Sequence, residues 1–266
     1  MRWSKIIDNL LKLLKITFQT LVDVTQKVLS ELQKKNPDKI TDINNIKEYL
    51  QRLTQFTQYC NTLNAQSFDN NVKEIFVRSN ELINFFSCRV FVIVKNNELD
   101  SLQSTFQTIP QLILNYLSSI NNYIKSSTQD LKNQQNQLQQ QINTNIRQES
   151  IEYLNENDIV EGTLSGVVKV ASKIFNIFTL KEKSIDNLMN STTGALNRLS
   201  DTIKRSPANF EGMKNIFLSR ELGVVLGGTV AAIGIFVVMR RLFNKTIQFI
   251  KSKWHGLMSW SRGENY

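Results

Sequence analysis

The chain contains 266 residues, which is enough for one large domain or two small ones. Of these residues 41% are hydrophobic, and the formal net charge is +9. Its single histidine and two cysteines exclude a histidine-based triad, a histidine-rich metal site and a disulfide framework. The basic residues are spread along the chain without a recognisable nucleic-acid module, so we expect no nucleic-acid partner.

The N-terminal segment has helical periodicity from Ser4 to Lys35, and Asn36-Pro37-Asp38 ends it. Its first half is basic and amphipathic, as in a mitochondrial targeting segment. We expect either an uncleaved targeting helix or the first core helix of a bundle.

The next part of the chain predicts two more helices. The second begins at Thr41 or Asp42, residues 64–71 are predicted to form a polar loop, and the third helix continues to about Val94. The β-branched residues 90–94 leave a strand as the alternative. Both cysteines, Cys60 and Cys88, fall on apolar helix faces and are expected to be buried.

A fourth helix follows a turn at Asn96-Asn97 and is predicted to kink or break near Pro110. Beyond it, residues 111–155 are polar and free of proline and glycine. Aliphatic residues recur every seven positions and then every four, which predicts one long helix with a narrow coiled-coil-like seam; the alternative is a polar linker. The seam consists of Leu117, Ile124, Leu131, Leu138, Ile142 and Ile146.

Two shorter amphipathic helices are predicted within residues 159–205, before a break at Ser206-Pro207. The first carries an apolar face opposite Lys169 and Lys173. It is predicted to lie either in a membrane interface or in the bundle.

The stretch from Leu222 to Met239 contains no charged residue and, at about 1.5 Å per residue, spans roughly 27 Å, close to the hydrocarbon thickness of a bilayer. Gly223, Gly227 and Ala231 recur every four residues and predict close packing against another transmembrane helix. A soluble core helix, a membrane hairpin and a re-entrant segment are the alternatives.

The residues after this stretch are basic and aromatic, and we expect them at lipid headgroup depth, where an anionic phospholipid such as cardiolipin would bind. They are Arg240, Arg241, Lys245, Lys251, Lys253 and Trp254. Their number slightly favours a C-terminus on the positive side of the membrane, the matrix in a mitochondrion.

No motif for catalysis is present: the sequence lacks a phosphate-binding glycine loop, a GxSxG elbow and an HExxH motif. Glu156, Asp158 and Glu161 lack the spacing of a calcium loop and predict a solvated turn. We therefore expect a non-enzyme without a cofactor or metal.

Together these patterns predict an all-α protein: a helical bundle, a long polar coiled-coil-like helix and a single transmembrane helix near the C-terminus. The predicted segments are a bundle (1–110), a bridging helix (111–157), amphipathic helices (158–206), the membrane segment (207–241) and an interfacial tail (242–266). We expect a non-catalytic accessory subunit of a mitochondrial inner-membrane complex, ATP synthase or a respiratory complex, contacting other membrane subunits and phospholipid. The alternative is a membrane-tethering or fusion-type protein, and a third class is a lipid-handling or catalytic domain in the first 110 residues.

Overall fold

The structure, a computed structural model, describes the backbone of residues 2–153 and 158–261 and the side chains of residues 5–144, 166 and 169–253. These residues are almost entirely helical and contain no strand, so the predicted all-α class is confirmed. The helices are α1 (Arg2–Lys35), α2 (Ile40–Asn61), α3 (Ala65–Phe85), α4 (Phe91–Asn96), α5 (Gln103–Phe106), α6 (Ile109–Tyr153), α7 (Asp158–Arg205), α8 (Phe210–Phe217) and α9 (Arg220–Ser261). A π-helical segment, Phe86–Val90, joins α3 to α4, and a 3-10 turn, Asp100–Leu102, precedes α5.

The chain divides into two compact units. Unit 1 consists of Met1–Ile124 and Leu188–Ile233, and unit 2 consists of Lys125–Asn187 and Gly234–Tyr266. The long helices α6, α7 and α9 each contribute to both units. These two units group the residues differently from the five segments predicted from the sequence. A grouping by contacts does not test those segments, which remain a prediction.

Aromatic side chains fill the core of unit 1. The Phe18 ring of α1 meets Phe56 of α2 with centroids 4.8 Å apart and Tyr116 of α6 at 5.8 Å. A second cluster has neighbouring centroids 4.8 to 6.4 Å apart and connects the π segment with α4, α5 and α8. Its members are Phe86, Phe91, Phe106, Phe210 and Phe217. This cluster fixes α8, and therefore the start of α9, in unit 1.

The predicted loop at residues 64–71 is wrong. Helix α3 begins at Ala65, because Asn64 accepts a hydrogen bond from the Ser67 amide at 2.9 Å while the Ser67 hydroxyl accepts one from the Asn64 amide at 2.9 Å. The polar residues of this segment therefore form a capping box instead of a loop. Phe68 is fully buried one turn later. Residues 90–94 are helical, so the strand alternative is also wrong.

The long polar helix is confirmed through Tyr153, where α6 ends; residues 154 and 155 lie outside the described backbone. Pro110 occupies the first turn of α6, where a missing backbone donor costs nothing. The predicted break therefore falls just before this proline, between α5 and α6.

The two short helices predicted within 159–205 are instead one helix, α7, of 48 residues. Along one face, buried residues recur on both sides of the charged stretch 181–183 at spacings of four and three, with one interval of seven between Phe178 and Ile185. They are Ala171, Phe175, Phe178, Ile185, Met189, Thr192, Leu196 and Leu199. Phe175 and Phe178 are thus buried in the protein, as the bundle alternative predicts, whereas Val170 of the same segment is exposed, so the interfacial alternative remains a prediction.

The predicted break at Ser206-Pro207 is confirmed, since α7 ends at Arg205 and α8 begins at Phe210. A Cβ atom on Gly212 would lie 1.9 Å from the carbonyl oxygen of Pro207. Only glycine allows the chain to return this closely to its own backbone.

Candidate functional site: the apolar helix α9

Helix α9 contains 42 residues and is, within the part of the chain that the structure describes, the one helix long and apolar enough to cross a membrane. Of its most apolar window, 44% is buried inside the protein. The helix therefore has one face committed to its own chain and a second face that is left open.

The buried face in unit 1 follows helical spacing along the first half of α9. Its members recur every three or four residues and are all apolar except for one threonine. They are Leu222, Val225, Leu226, Thr229, Ala232 and Ile233. Thr229 is the most polar residue of the uncharged stretch, and it lies at the centre of this face.

A buried amide on α3 holds this face by hydrogen bonds. The side chain of Asn80, a residue only 4% exposed, donates from Nδ2 to the Thr229 hydroxyl at 2.8 Å and to the Leu226 carbonyl at 3.0 Å. Thr229 in turn donates to the Val225 carbonyl at 2.8 Å. We refer to Asn80, Leu226 and Thr229 as the amide clamp. It fixes the register of α9 on α3, because any shift along the axis would leave the buried amide unpaired.

A second close contact joins α9 to α7 at Gly228. A Cβ atom placed on Gly228 would lie 2.4 Å from Oγ1 of Thr192, which is fully buried. The glycine is therefore required for the two helices to approach this closely. Sequence reasoning missed Gly228, Asn80 and Thr192, although a lone threonine beside paired glycines in an apolar run was an available signal.

The three residues predicted to pack against another helix, Gly223, Gly227 and Ala231, are exposed on the opposite side of α9. A Cβ atom on Gly223 or Gly227 would meet nothing within 4 Å. The described part of the chain thus leaves this face, which we call the open glycine face, uncovered. Packing against a partner helix remains a prediction.

The second half of α9 lies in unit 2, where Phe236, Met239 and Phe243 are buried and Val238 is exposed. Most of the predicted lipid-contacting cations are exposed here; they are Arg241, Lys245, Lys251 and Lys253. Arg240 is half-buried and takes part in an interaction within the protein. The side chain of Trp254 lies outside the described residues.

Charged residues on α3 lie at the depth of the middle of the apolar stretch. Glu81 and Arg78 follow and precede Asn80 by one and two residues, within about 3 Å along the helix axis. Glu81 is exposed, and the Arg78 side chain is 39% exposed. A bilayer around the clamped α9 would have to hold these charges in its hydrocarbon core, which is strongly unfavourable. A membrane-spanning arrangement of α9 would therefore require release of the amide clamp.

Comparisons with known protein families, with curated proteins and with solved structures find no match for this chain. Among the described residues, no group of three or more histidine, cysteine, aspartate or glutamate side chains is arranged to hold a metal ion.

Proposed function

We propose that this protein is a non-catalytic structural subunit of a multisubunit membrane complex and that α9 is its membrane anchor. The observation that carries the proposal is the uncharged stretch of α9 at residues 222–239, in which Gly223, Gly227 and Ala231 share one exposed face. The opposite face is satisfied by the amide clamp, while this face is uncharged, exposed and lined by small residues. An uncovered face of this composition suits close packing against a helix of another subunit.

The clamped form corresponds to the protein before insertion. Leu226, Thr229 and the residues around them are shielded from water by α3 and α7 until α9 enters the bilayer. Release costs the two hydrogen bonds of Asn80, and transfer of the 18-residue stretch into lipid offsets this cost, since its backbone groups are already paired within the helix.

The proposed location is the mitochondrial inner membrane, in ATP synthase or a respiratory complex. The basic amphipathic start of α1, with Arg2, Lys5, Lys12 and Lys15, supports targeting to this organelle. The exposed cations that follow the apolar stretch support contact with an anionic lipid such as cardiolipin.

Fractionation of mitochondria from the source cells tests the proposal. The wild-type chain is expected to resist extraction by alkaline carbonate and to migrate with a large complex in a mild detergent. Gly227→Leu should release it from the complex but leave it in the membrane, because a leucine fills the space where helix backbones would touch. Val224→Leu, a substitution beside the open glycine face, is the matched control and should assemble normally.

Extraction of the wild-type chain by carbonate would rule out the anchor. Normal assembly of the Gly227→Leu variant would rule out docking through the open glycine face. Exchange of the chain between vesicle and target membranes, without a stable complex, would instead favour the tethering alternative.

A further inference from the structure

Helix α7 carries an exposed apolar stripe in unit 2, separate from the open glycine face of α9. Val170, Ile177 and Leu180 are 41%, 45% and 67% exposed, although the same helix buries Phe175 and Phe178 on another face. Val170, Ile174 and Ile177 follow each other at spacings of four and three, so they share one side of the helix.

Lysines border this stripe and no acidic residue interrupts it. Lys169, Lys173 and Lys181 are exposed and fall on or beside the line of aliphatic residues. Lys183 is also exposed, and it lies next to Lys169 around the helix axis, further from the aliphatic residues. The residues between 166 and 187 include only two acids, Glu182 and Asp186.

Both of these acids are paired with a lysine of another helix. Lys132 of α6 lies 3.2 Å from Glu182 and 2.9 Å from Asp186. The lysines of the stripe form no ion pair within the described part of the chain. The ion pairs of unit 2 thus segregate charge: acids face α6, and uncompensated cations remain beside exposed aliphatic side chains.

We propose that this face of α7 binds the surface of an anionic phospholipid membrane, with its aliphatic residues in the headgroup boundary and its lysines at the phosphates. An amphipathic helix with aliphatic residues bordered by lysines is the type that lies in the plane of such a surface. Nucleic acid would contact the lysines but would leave the aliphatic residues in water. The inference deepens the proposed function, on which it rests only for the presence of a nearby membrane.

The test uses the full-length chain with Cys88→Ser, and an environment-sensitive fluorophore at Ile177→Cys. The matched control carries the same label at Ser172→Cys, an exposed position on a polar side of α7. On vesicles of phosphatidylcholine with cardiolipin, the label at 177 should be shielded from aqueous iodide and the label at 172 should not. Vesicles of phosphatidylcholine alone should shield neither position.

Replacing Lys169, Lys173 and Lys181 by Gln should weaken the shielded state by about a hundredfold, at about fivefold for each cation, which equals about 1 kcal/mol. Replacing the exposed lysines Lys27, Lys47 and Lys73 of unit 1 by Gln should leave it unchanged.

Iodide access at 177 on cardiolipin vesicles would overturn the inference, as would shielding that is independent of lipid charge or of the three lysines. Shielding without lipid that rises with protein concentration would assign the face to a second copy, and shielding by RNA alone would assign it to nucleic acid. Loss of shielding with carbonate resistance intact rejects this face and keeps the α9 anchor. Carbonate extraction with shielding intact rejects the anchor and keeps this face.

Discussion

The Asn80 side-chain amide and the Thr229 hydroxyl are 2.8 Å apart, although 149 positions separate the two residues in the chain. Asn80 also donates to the Leu226 carbonyl, and its Oδ1 atom has no protein partner. The Asn80 amide thus joins α3 to the apolar stretch of α9 through two hydrogen bonds. Because both partners are buried, this contact decides where α9 can seat on unit 1.

Replacing Asn80 by Ala should lower the free energy of unfolding by about 1–3 kcal/mol, because the hydrogen bonds are lost and a buried cavity forms. Thr229→Val should act in the same direction. Urea unfolding and hydrogen exchange at residues 222–233 measure the effect, and Asn84→Ala, at an exposed position of α3, is the control. The same variants should insert into vesicles more readily. Unchanged exchange and unchanged insertion would contradict the amide clamp.

Gly228→Ala and Gly227→Ala should have opposite effects on the isolated chain. At Gly228 the added Cβ meets Thr192 at 2.4 Å, and such overpacking costs about 1–3 kcal/mol. At Gly227 nothing lies within 4 Å, so alanine should stabilise the helix by up to about 1 kcal/mol.

A rescue variant separates this contact from a general intolerance of α9. Adding Thr192→Ala to Gly228→Ala removes the clashing hydroxyl and should recover most of the lost stability in urea unfolding. Equal destabilisation by alanine at positions 227 and 228, or no rescue by Thr192→Ala, would show that α9 is not packed against α7 at Gly228.

Lys132 holds α6 and α7 together in unit 2, and its side chain is only 15% exposed. Burial lowers its pKa, but hydrogen bonds to Asp186 and Glu182 outweigh this and raise the pKa above its usual value. Lys132→Met leaves two neighbouring carboxylates unpaired and should cost about 1 kcal/mol or more, since the pair is partly shielded from solvent. Lys125→Met, at an exposed position of α6 about two turns before Lys132, is the control for urea unfolding. Equal effects of the two substitutions would contradict the role of Lys132.

The two cysteines should react at very different rates. Cys60 is fully buried, and burial raises the pKa of its thiol to about 12, whereas Cys88 is exposed. The expectation that both are buried is therefore wrong for Cys88. Since the thiolate is the reactive form, an aromatic disulfide reagent should titrate one thiol in the folded chain and two in urea. The Cys88→Ser variant should show no rapid reaction, and rapid labelling of it would place Cys60 at the surface.

Stability should fall at alkaline pH. Burial raises the pKa values of Cys60, Tyr49 and Tyr116 in the folded chain, so the unfolded chain ionises first. This stability is complete below the unfolded pKa values and is lost as pH rises toward the folded ones, by about 1.4 kcal/mol per pH unit for each group. Tyr116→Phe should flatten the decline of unfolding free energy above pH ~10. Parallel declines in the variant and the wild type would contradict the assignment to Tyr116.

The sequence determined the helices of this protein and the apolar run within α9. Periodicity, prolines and the absence of charge between Leu222 and Met239 act locally, so they could be read without knowing any contact. The same local information failed at Asn64, where a polar cluster predicts a loop and a helix cap equally well. It failed again within residues 159–205, where two helices are predicted but α7 continues as one helix.

Only the tertiary structure decided which face of each helix is covered. Gly223, Gly227 and Gly228 are alike in the sequence, yet one lies against Thr192 and two are open. Asn80 is one of many asparagines, and its role depends on a partner 149 positions away. Such pairings are set by how α3, α7 and α9 pack together, because the cost of burying a polar group depends on whether a distant residue satisfies it.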